Sequence, residues 1–268
     1  MTWASSAPRA VPVPDDVGEA PAVEVGSSLL DGRVGLVELR RAPNNFFDVV
    51  LLEQLVAAID ALVSQDARAL VLAAAGKNFC AGAKLGGGRK QGDVYAAALP
   101  LFEVPVPIVV AIQGAVVGGG IGLALVGDLR IGSPETTFRP NFAQLGFNHG
   151  FGMSVTLPAV VGEQAALRLL LRAQTVRGEQ AHALGVLDLI APAENLRDVA
   201  IDEARLLAGH APLAVASIRQ LLRGERLGRI KAAINAERSE QVRLMRTADF
   251  AEGVAAVNER RTAGFTGT

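Results

Sequence analysis

Two short stretches of this chain could do chemistry with their backbone alone. The first is Asn78-Phe79-Cys80-Ala81-Gly82-Ala83-Lys84-Leu85, and the second is Gly114-Ala115-Val116-Val117-Gly118-Gly119-Gly120-Ile121-Gly122. Each follows an apolar run that reads as a buried strand, and each brings small residues to a strand-to-helix junction. A helix start leaves N–H groups without intrahelical acceptors, and glycine lets a ligand come close to them. Two such N–H groups aimed at one point could hold a carbonyl oxygen as it gains negative charge, with no side chain involved. Taken singly, each stretch reads equally well as a turn or a close-packing contact. A dinucleotide site fits the second stretch poorly, because G-x-G-x-x-G requires glycine at position 123, where Leu123 stands.

Side chains with proton chemistry are sparse nearby. From Thr136 to Met153 there is no Asp or Glu, and after Thr137 the polar residues are Arg139, Asn141, Gln144, Asn148 and His149. A histidine titrates near neutrality, so His149 could serve as acid or base, or it could simply line or support a pocket. Tyr95 is the only tyrosine and follows the glycine-rich stretch Gly86–Gly92. It could close over a ligand or pack on a helix surface. Cys80 lies between Phe79 and Ala81 at a buried strand end, a setting that raises a thiol pKa and makes it inert. His182 and His210 read as structural, and no His, Cys or carboxylate cluster has metal-ligand spacing.

The elements that must position these residues follow from periodicity and punctuation. Residues 1–21 carry Pro8, Pro12, Pro14 and Pro21 among acidic residues and read as a flexible tail. Ala22–Leu30 and Arg33–Arg40 read as strands joined by the turn Asp31-Gly32. Val49–Ser64 is an amphipathic helix with Asp48 as N-cap. Ala69–Ala75 and Ile108–Ile112 are buried strands, with a glycine-rich loop over Gly76–Gly92 and a helix around Asp93–Phe102 between them. A helix opens at the Gly118 triplet, and a strand follows at Asp128–Ile131. Gly162–Leu171 and Gly178–Leu184 are helices, with a strand at Val186–Ile190. This alternation predicts crossovers and a mainly parallel sheet, and from Leu196 onward only helices are expected.

Bulk properties exclude several classes. Lys plus Arg number 26 against 27 Asp plus Glu, so a net charge of −1 gives no reason to expect nucleic acid or an anionic membrane as partner. Val104–Gly127 has no charged residue, yet Pro105, Pro107, Gly114, Gly118, Gly119, Gly120 and Gly122 break it into a buried strand and a short helix, so no membrane span is expected. The start of the chain has no basic segment followed by an apolar block, and a single cysteine allows no internal disulfide. A reducing cytoplasm is the expected compartment.

Taken together and in order, these features resemble the crotonase (enoyl-CoA hydratase/isomerase) superfamily. The two backbone stretches resemble its A-G-A-D turn and its later G-G-G helix start, which clamp an acyl-CoA thioester. Arg40-Arg41-Ala42-Pro43-Asn44-Asn45 is similar to the early R-P-x-x-N-A-L segment that lines the coenzyme A pocket. The segments Thr247–Gly253 and Asn258–Phe265 are similar to its C-terminal D-x-x-E-G and E-K-R-x-x-x-F tail. The resemblance implies an α/β fold, a crotonase spiral of repeated ββα units with an α-helical C-terminal segment. It divides the chain into the tail 1–21, an acyl-CoA-binding core 22–195, and a helical segment 196–268 for oligomer and coenzyme A contacts. It also implies a homotrimer or hexamer, an acyl-CoA ligand, and no tightly bound cofactor, coenzyme A arriving as part of the substrate.

Carried over by position, the oxyanion donors are the N–H groups of Ala83 and Gly119. The expected ligand contacts are Asn44, Asn45, Ala81, Lys84, Leu85, Gly118, Arg139, Asn141, Phe142 and Arg260. Lys84 replaces the family's Asp and could meet a phosphate. A water-adding member also needs two glutamates, and the matching positions hold Gly122 and Phe142, neither of which moves a proton. The expected function is therefore an enolate-forming acyl-CoA enzyme with hydratase activity in doubt, His149, with Arg139 or Asn141 as alternatives, replacing the glutamates. A non-catalytic acyl-CoA-binding protein and a hydrolase or C–C-cleaving branch are the rival readings.

Overall fold

The computed structural model describes residues 22–83 and 91–268, and for residues 91–93 the backbone only. The chain opens with a hairpin, β1 (Val25–Leu30) and β2 (Val34–Leu39), whose turn is three residues, Asp31-Gly32-Arg33, with Arg33 at φ 62° in the turn and not in the second strand as expected. Helix α1 (Val49–Ser64) starts where the Asp48 carboxylate accepts the Leu51 N–H at 3.0 Å, and buries Leu51, Leu52, Leu55, Ile59 and Leu62 along one stripe. Strand β3 (Ala69–Ala74), helix α2 (Gln91–Ala98) with a 3-10 turn over Leu99–Phe102, and strand β4 (Ile108–Ile112) follow. Next come β5 (Ala115–Val117), α3 (Gly119–Ala124), β6 (Leu129–Gly132) and β7 (Thr137–Arg139). Helices α4 (Met153–Val161) and α5 (Glu163–Leu171) lead to β8 (Val176–Arg177), α6 (Gly178–Ala183) and β9 (Leu189–Ile190). Three helices finish the chain: α7 (Leu196–Gly209), α8 (Pro212–Leu244) and α9 (Ala248–Glu259).

The main sheet has the order β1-β2-β3-β4-β6-β9, parallel throughout except for the first hairpin. Every residue of β3 and β4 is buried, as expected for central strands covered on both faces. The small residues Ala200, Ala204 and Ala208 of α7 lie on Val71, Ala73, Val109 and Ala111, while α1 covers the other face. Helix α7 is thus a layer of the core, and packing does not divide the chain at residue 196. Among the described residues no helix is long and apolar enough to cross a membrane, and the uncharged run from Val104 is split among β4, β5 and α3.

A second, three-stranded sheet, β5-β7-β8, has no counterpart in the sequence reading. Its strands are two or three residues long, too short to show a period. Helix α4 was also unmarked. The strand expected over Val186–Ile190 shrinks to β9, because Val186 and Leu187 both donate their N–H groups to Ala181 O and close α6 instead. Helix α8 crosses the molecule with Ile230, Ile234, Glu237 and Gln241 buried, and is tied to Asp128 before β6 by Arg219 and Arg223.

Candidate functional site

The two glycine-rich stretches are paired directly with each other. Strand β5 lies between β7 and the segment before Ala83: Val117 donates to Cys80 O at 3.0 Å, and Gly118 donates to Arg139 O at 3.0 Å. On its far side the same segment meets Phe47, whose N–H donates to Gly82 O at 2.9 Å. This ladder brings Ala83 beside Gly119, so that a methyl group built on Gly119 would lie 3.9 Å from the Ala83 nitrogen. Among the described residues neither the Ala83 nor the Gly119 N–H has an acceptor. The chain enters α3 through Gly118 at φ 52° and ψ −123°, a conformation that a residue with a Cβ would adopt only under strain.

Ala83 and Gly119 both line a cavity of about 660 Å³. Its wall near the amides is phenyl: the Phe47 ring lies 2.8 Å from a methyl group built on Gly119, and the Phe142 ring 3.8 Å from one on Gly118. Phe151 and Phe147 continue the wall, paired edge-to-face with Phe47 and Phe142 at centroid distances of 5.5 and 5.7 Å. Helix α9 closes one side with Val254, Val257 and Asn258. The titratable side chains on the cavity are Arg41, Tyr95 and Arg139, and no Asp or Glu lines it among the described residues. Arg41 is engaged: its guanidinium donates to Glu24 and to Asp48, and Glu24 foremost holds its pKa above the usual value.

Next to the cavity, helices α4 and α8 share a polar cluster. The Glu237 carboxylate is buried and accepts the N–H groups of Gly152 and Ser154, each at 2.7 Å. Burial pushes its pKa up, against the pull of the Ser154 and Gly152 donors. His149 Nε2 is 2.8 Å from Ser154 Oγ and 3.8 Å from Glu237 Oε1, and burial pushes its pKa down. Gln241 donates to Asn148 O at 2.7 Å, and its Oε1 accepts the Tyr95 hydroxyl. Burial first, and the Glu237 charge second, hold the Tyr95 pKa above its usual value.

Residues 31–268 match the sequence profile of the enoyl-CoA hydratase/isomerase family. The chain belongs to that family. It is 31% identical over 213 residues to the 1,2-epoxyphenylacetyl-CoA isomerase of Escherichia coli, covering 75% of this chain and 81% of that one. It is likewise 31% identical over 241 residues to a probable enoyl-CoA hydratase of Mycobacterium tuberculosis, covering 86% and 95%. The solved enoyl-CoA hydratase/isomerase of Pseudoalteromonas atlantica superposes with a TM-score of 0.84 at 26% identity, covering 91% of this chain and all of that one. The α/β architecture with its C-terminal helices is the crotonase fold.

Of the residues expected at this crotonase site, Ala81, Ala83, Gly118, Gly119, Arg139, Asn141 and Phe142 come together on one cavity. Lys84 and Leu85 lie outside the described residues, as does the 1–21 segment. Asn44 and Asn45 do not line the cavity and instead fasten the loop beneath it. Asn45 is fully buried, donates to Ala75 O and Asn78 O at 2.8 Å each, and accepts the Arg41 N–H at 2.9 Å, while Asn44 Oδ1 accepts from Asn78. Arg260 is exposed beyond α9, which reaches the cavity through other residues. His149 is also off the cavity wall: it stands behind Phe142, ring centroids 6.3 Å apart, and faces Ser154. Cys80 is buried, its thiol pushed up to about 12 by burial. The reading missed Phe47, Phe151, Glu237 and Gln241. Glu237 and Gln241 carried one usable signal, since they continue the Ile230, Ile234 stripe at helical spacing and so place polar groups on a buried face.

Proposed function

We propose that this crotonase binds an acyl-CoA with its thioester oxygen between the N–H groups of Ala83 and Gly119, which polarise the carbonyl, without adding water to a double bond. The observation that supports this is the pair of amides lacking acceptors at a phenyl-lined cavity that no described carboxylate reaches. Such donors act where charge develops, and losing one typically costs ~10²–10³ in rate. Hydration needs groups that deliver and remove protons, each worth ~10²–10⁴. At position 122 a side chain would meet the Phe151 Cβ at 2.4 Å, and Phe142 lines the cavity, which supports reading both positions as apolar wall and not as proton carriers. Arg139, which has no carboxylate partner among the described residues, supplies positive charge at the cavity for a phosphate-bearing ligand. Leu213, Ile218, Leu221 and Leu222 on the first half of α8 are exposed, which supports a homotrimer or hexamer, measurable by sedimentation.

A chromophoric thioester, 4-dimethylaminocinnamoyl-CoA, tests the polarisation. Its absorbance should shift to the red on binding, and Gly119→Pro, which removes the N–H at a helix position that accepts proline, should abolish the shift. Gly119→Ala is the control, since it brings comparable bulk toward Phe47 but keeps the donor. Crotonyl-CoA should show little or no loss of enoyl absorbance. An efficient hydration rate, or a shift that survives Gly119→Pro, overturns the proposal. That no carboxylate lines the cavity among the described residues favours a second reading, a protein that binds acyl-CoA without turnover. Exchange of α-protons with deuterated water, followed by NMR, separates the two.

A further inference from the structure

We infer that the acyl group this cavity takes is an aromatic ring carrying a hydroxyl. The inference rests on the acyl-CoA reading above and names the substrate class of the same site. The space next to the two amides is bounded by ring surfaces, Phe47 against Gly119 and Phe142 against Gly118, with Phe151 filling the side at Gly122. These phenyls are held in edge-to-face contacts, Phe47 with Phe151 at 68° and Phe142 with Phe147 at 63°. Aromatic pairs of that kind contribute beyond the area they bury, and an acyl ring entering between them gains the same contacts, whereas an alkyl chain gains burial alone.

The second observation is a polar pair in this apolar wall. Tyr95 and Gln241 line the cavity at 6% and 2% exposure. The Tyr95 hydroxyl spends its proton on Gln241 Oε1, and Gln241 spends one amide N–H on Asn148 O. By the donor and acceptor count of these groups, one lone pair on the Tyr95 oxygen and one N–H on Gln241 have no partner among the described residues. An acceptor beside a donor complements a hydroxyl, which can donate to the first and accept from the second. The Tyr95 oxygen sits 2.1 Å from the place a side chain at Gly150 would occupy, and Gly150 precedes Phe151 in the chain, so the polar pair shares the cavity wall with the Phe151 ring. A buried site that bonds a hydroxyl discriminates strongly against ligands without one, because its polar groups are then left unpaired.

Calorimetric dissociation constants for nonanoyl-CoA, 3-phenylpropanoyl-CoA and 3-(4-hydroxyphenyl)propanoyl-CoA test the inference on the full chain. The expected order is hydroxyaryl tightest, then aryl, then alkyl, the aryl step about 2- to 12-fold and the hydroxyl step about tenfold or more. Tyr95→Phe and Gln241→Leu should each collapse the hydroxyaryl advantage over aryl while keeping aryl above alkyl. Phe151→Leu should narrow the aryl-over-alkyl step. Equal affinities for the three thioesters, or a hydroxyl advantage untouched in both polar variants, would overturn the inference while leaving the acyl-CoA reading standing. Failure of all three thioesters to bind the wild type would overturn both.

Discussion

Glu237→Ala should destabilise the fold by about 2–4 kcal/mol, and the estimate can be built group by group. The carboxylate joins α8 to the start of α4 by accepting two N–H groups at 2.7 Å. Gly152 is buried, so its orphaned N–H meets no water and costs ~1–3 kcal/mol. Ser154 is exposed, so water replaces most of its lost bond. Losing a negative charge at a helix N-terminus adds ~0.3–1 kcal/mol, and the void left by truncation adds roughly 1 kcal/mol. Relief from burying a carboxylate offsets part of this sum, as the raised pKa indicates. Glu237→Gln keeps one acceptor oxygen and the volume, and should cost about 1–2 kcal/mol. Urea unfolding followed by far-ultraviolet circular dichroism, at one fixed protein concentration, reads both values. The sign of the pH dependence gives a further check. A carboxyl group with a raised folded-state pKa contributes fully below its unfolded value, and that contribution is lost as pH rises through the folded value. Glu237→Gln should therefore flatten a decline in stability above the usual carboxylate range. A loss below ~0.5 kcal/mol in Glu237→Ala would refute the latch, because it would mean both amides are satisfied without the carboxylate.

Gly122→Ala places a methyl group 2.4 Å from the Phe151 Cβ and should cost about 1–3 kcal/mol, seen as a lower Tm; an unchanged Tm would mean Phe151 does not fill that space. Cys80 should resist a thiol reagent at pH 8 until the protein unfolds, since its pKa is pushed up to about 12, and prompt stoichiometric labelling of native protein would contradict its burial. Asn45→Ala removes three hydrogen bonds at a fully buried site and should cost about 2–4 kcal/mol in denaturant unfolding, with weaker acyl-CoA binding as the loop below the cavity loosens. Burial keeps His149 neutral, so the unfolded chain binds its proton first and stability should fall as pH drops below about 6.5. His149→Asn should flatten that fall and leave acyl-CoA affinity within about threefold, because the ring stands behind Phe142; a larger loss of affinity would put the histidine on the ligand.

By itself the sequence determined what depends on neighbours along the chain. Asp48 before an apolar helical stripe set the start of α1, and two runs of buried residues set β3 and β4. Glycines in order and at fixed spacing marked the two backbone stretches, since an open helix start and a positive φ are local demands that glycine meets. That no Asp or Glu stands between Thr136 and Met153 was equally legible, because composition needs no geometry. Tertiary structure decided everything that depends on which face meets which. Only the short ladder of β5 between β7 and the Cys80 segment brings Ala83 to Gly119, and strands of two or three residues leave no period to read. His149 stood beside the right glycines in the chain yet turns away behind Phe142, because position in a loop does not fix side-chain direction. Gln241, nearly 150 residues after Tyr95, reaches the same cavity because α8 crosses the molecule to pack on α4. Contacts across such separations are chosen by the packing of whole elements, and no local pattern records them.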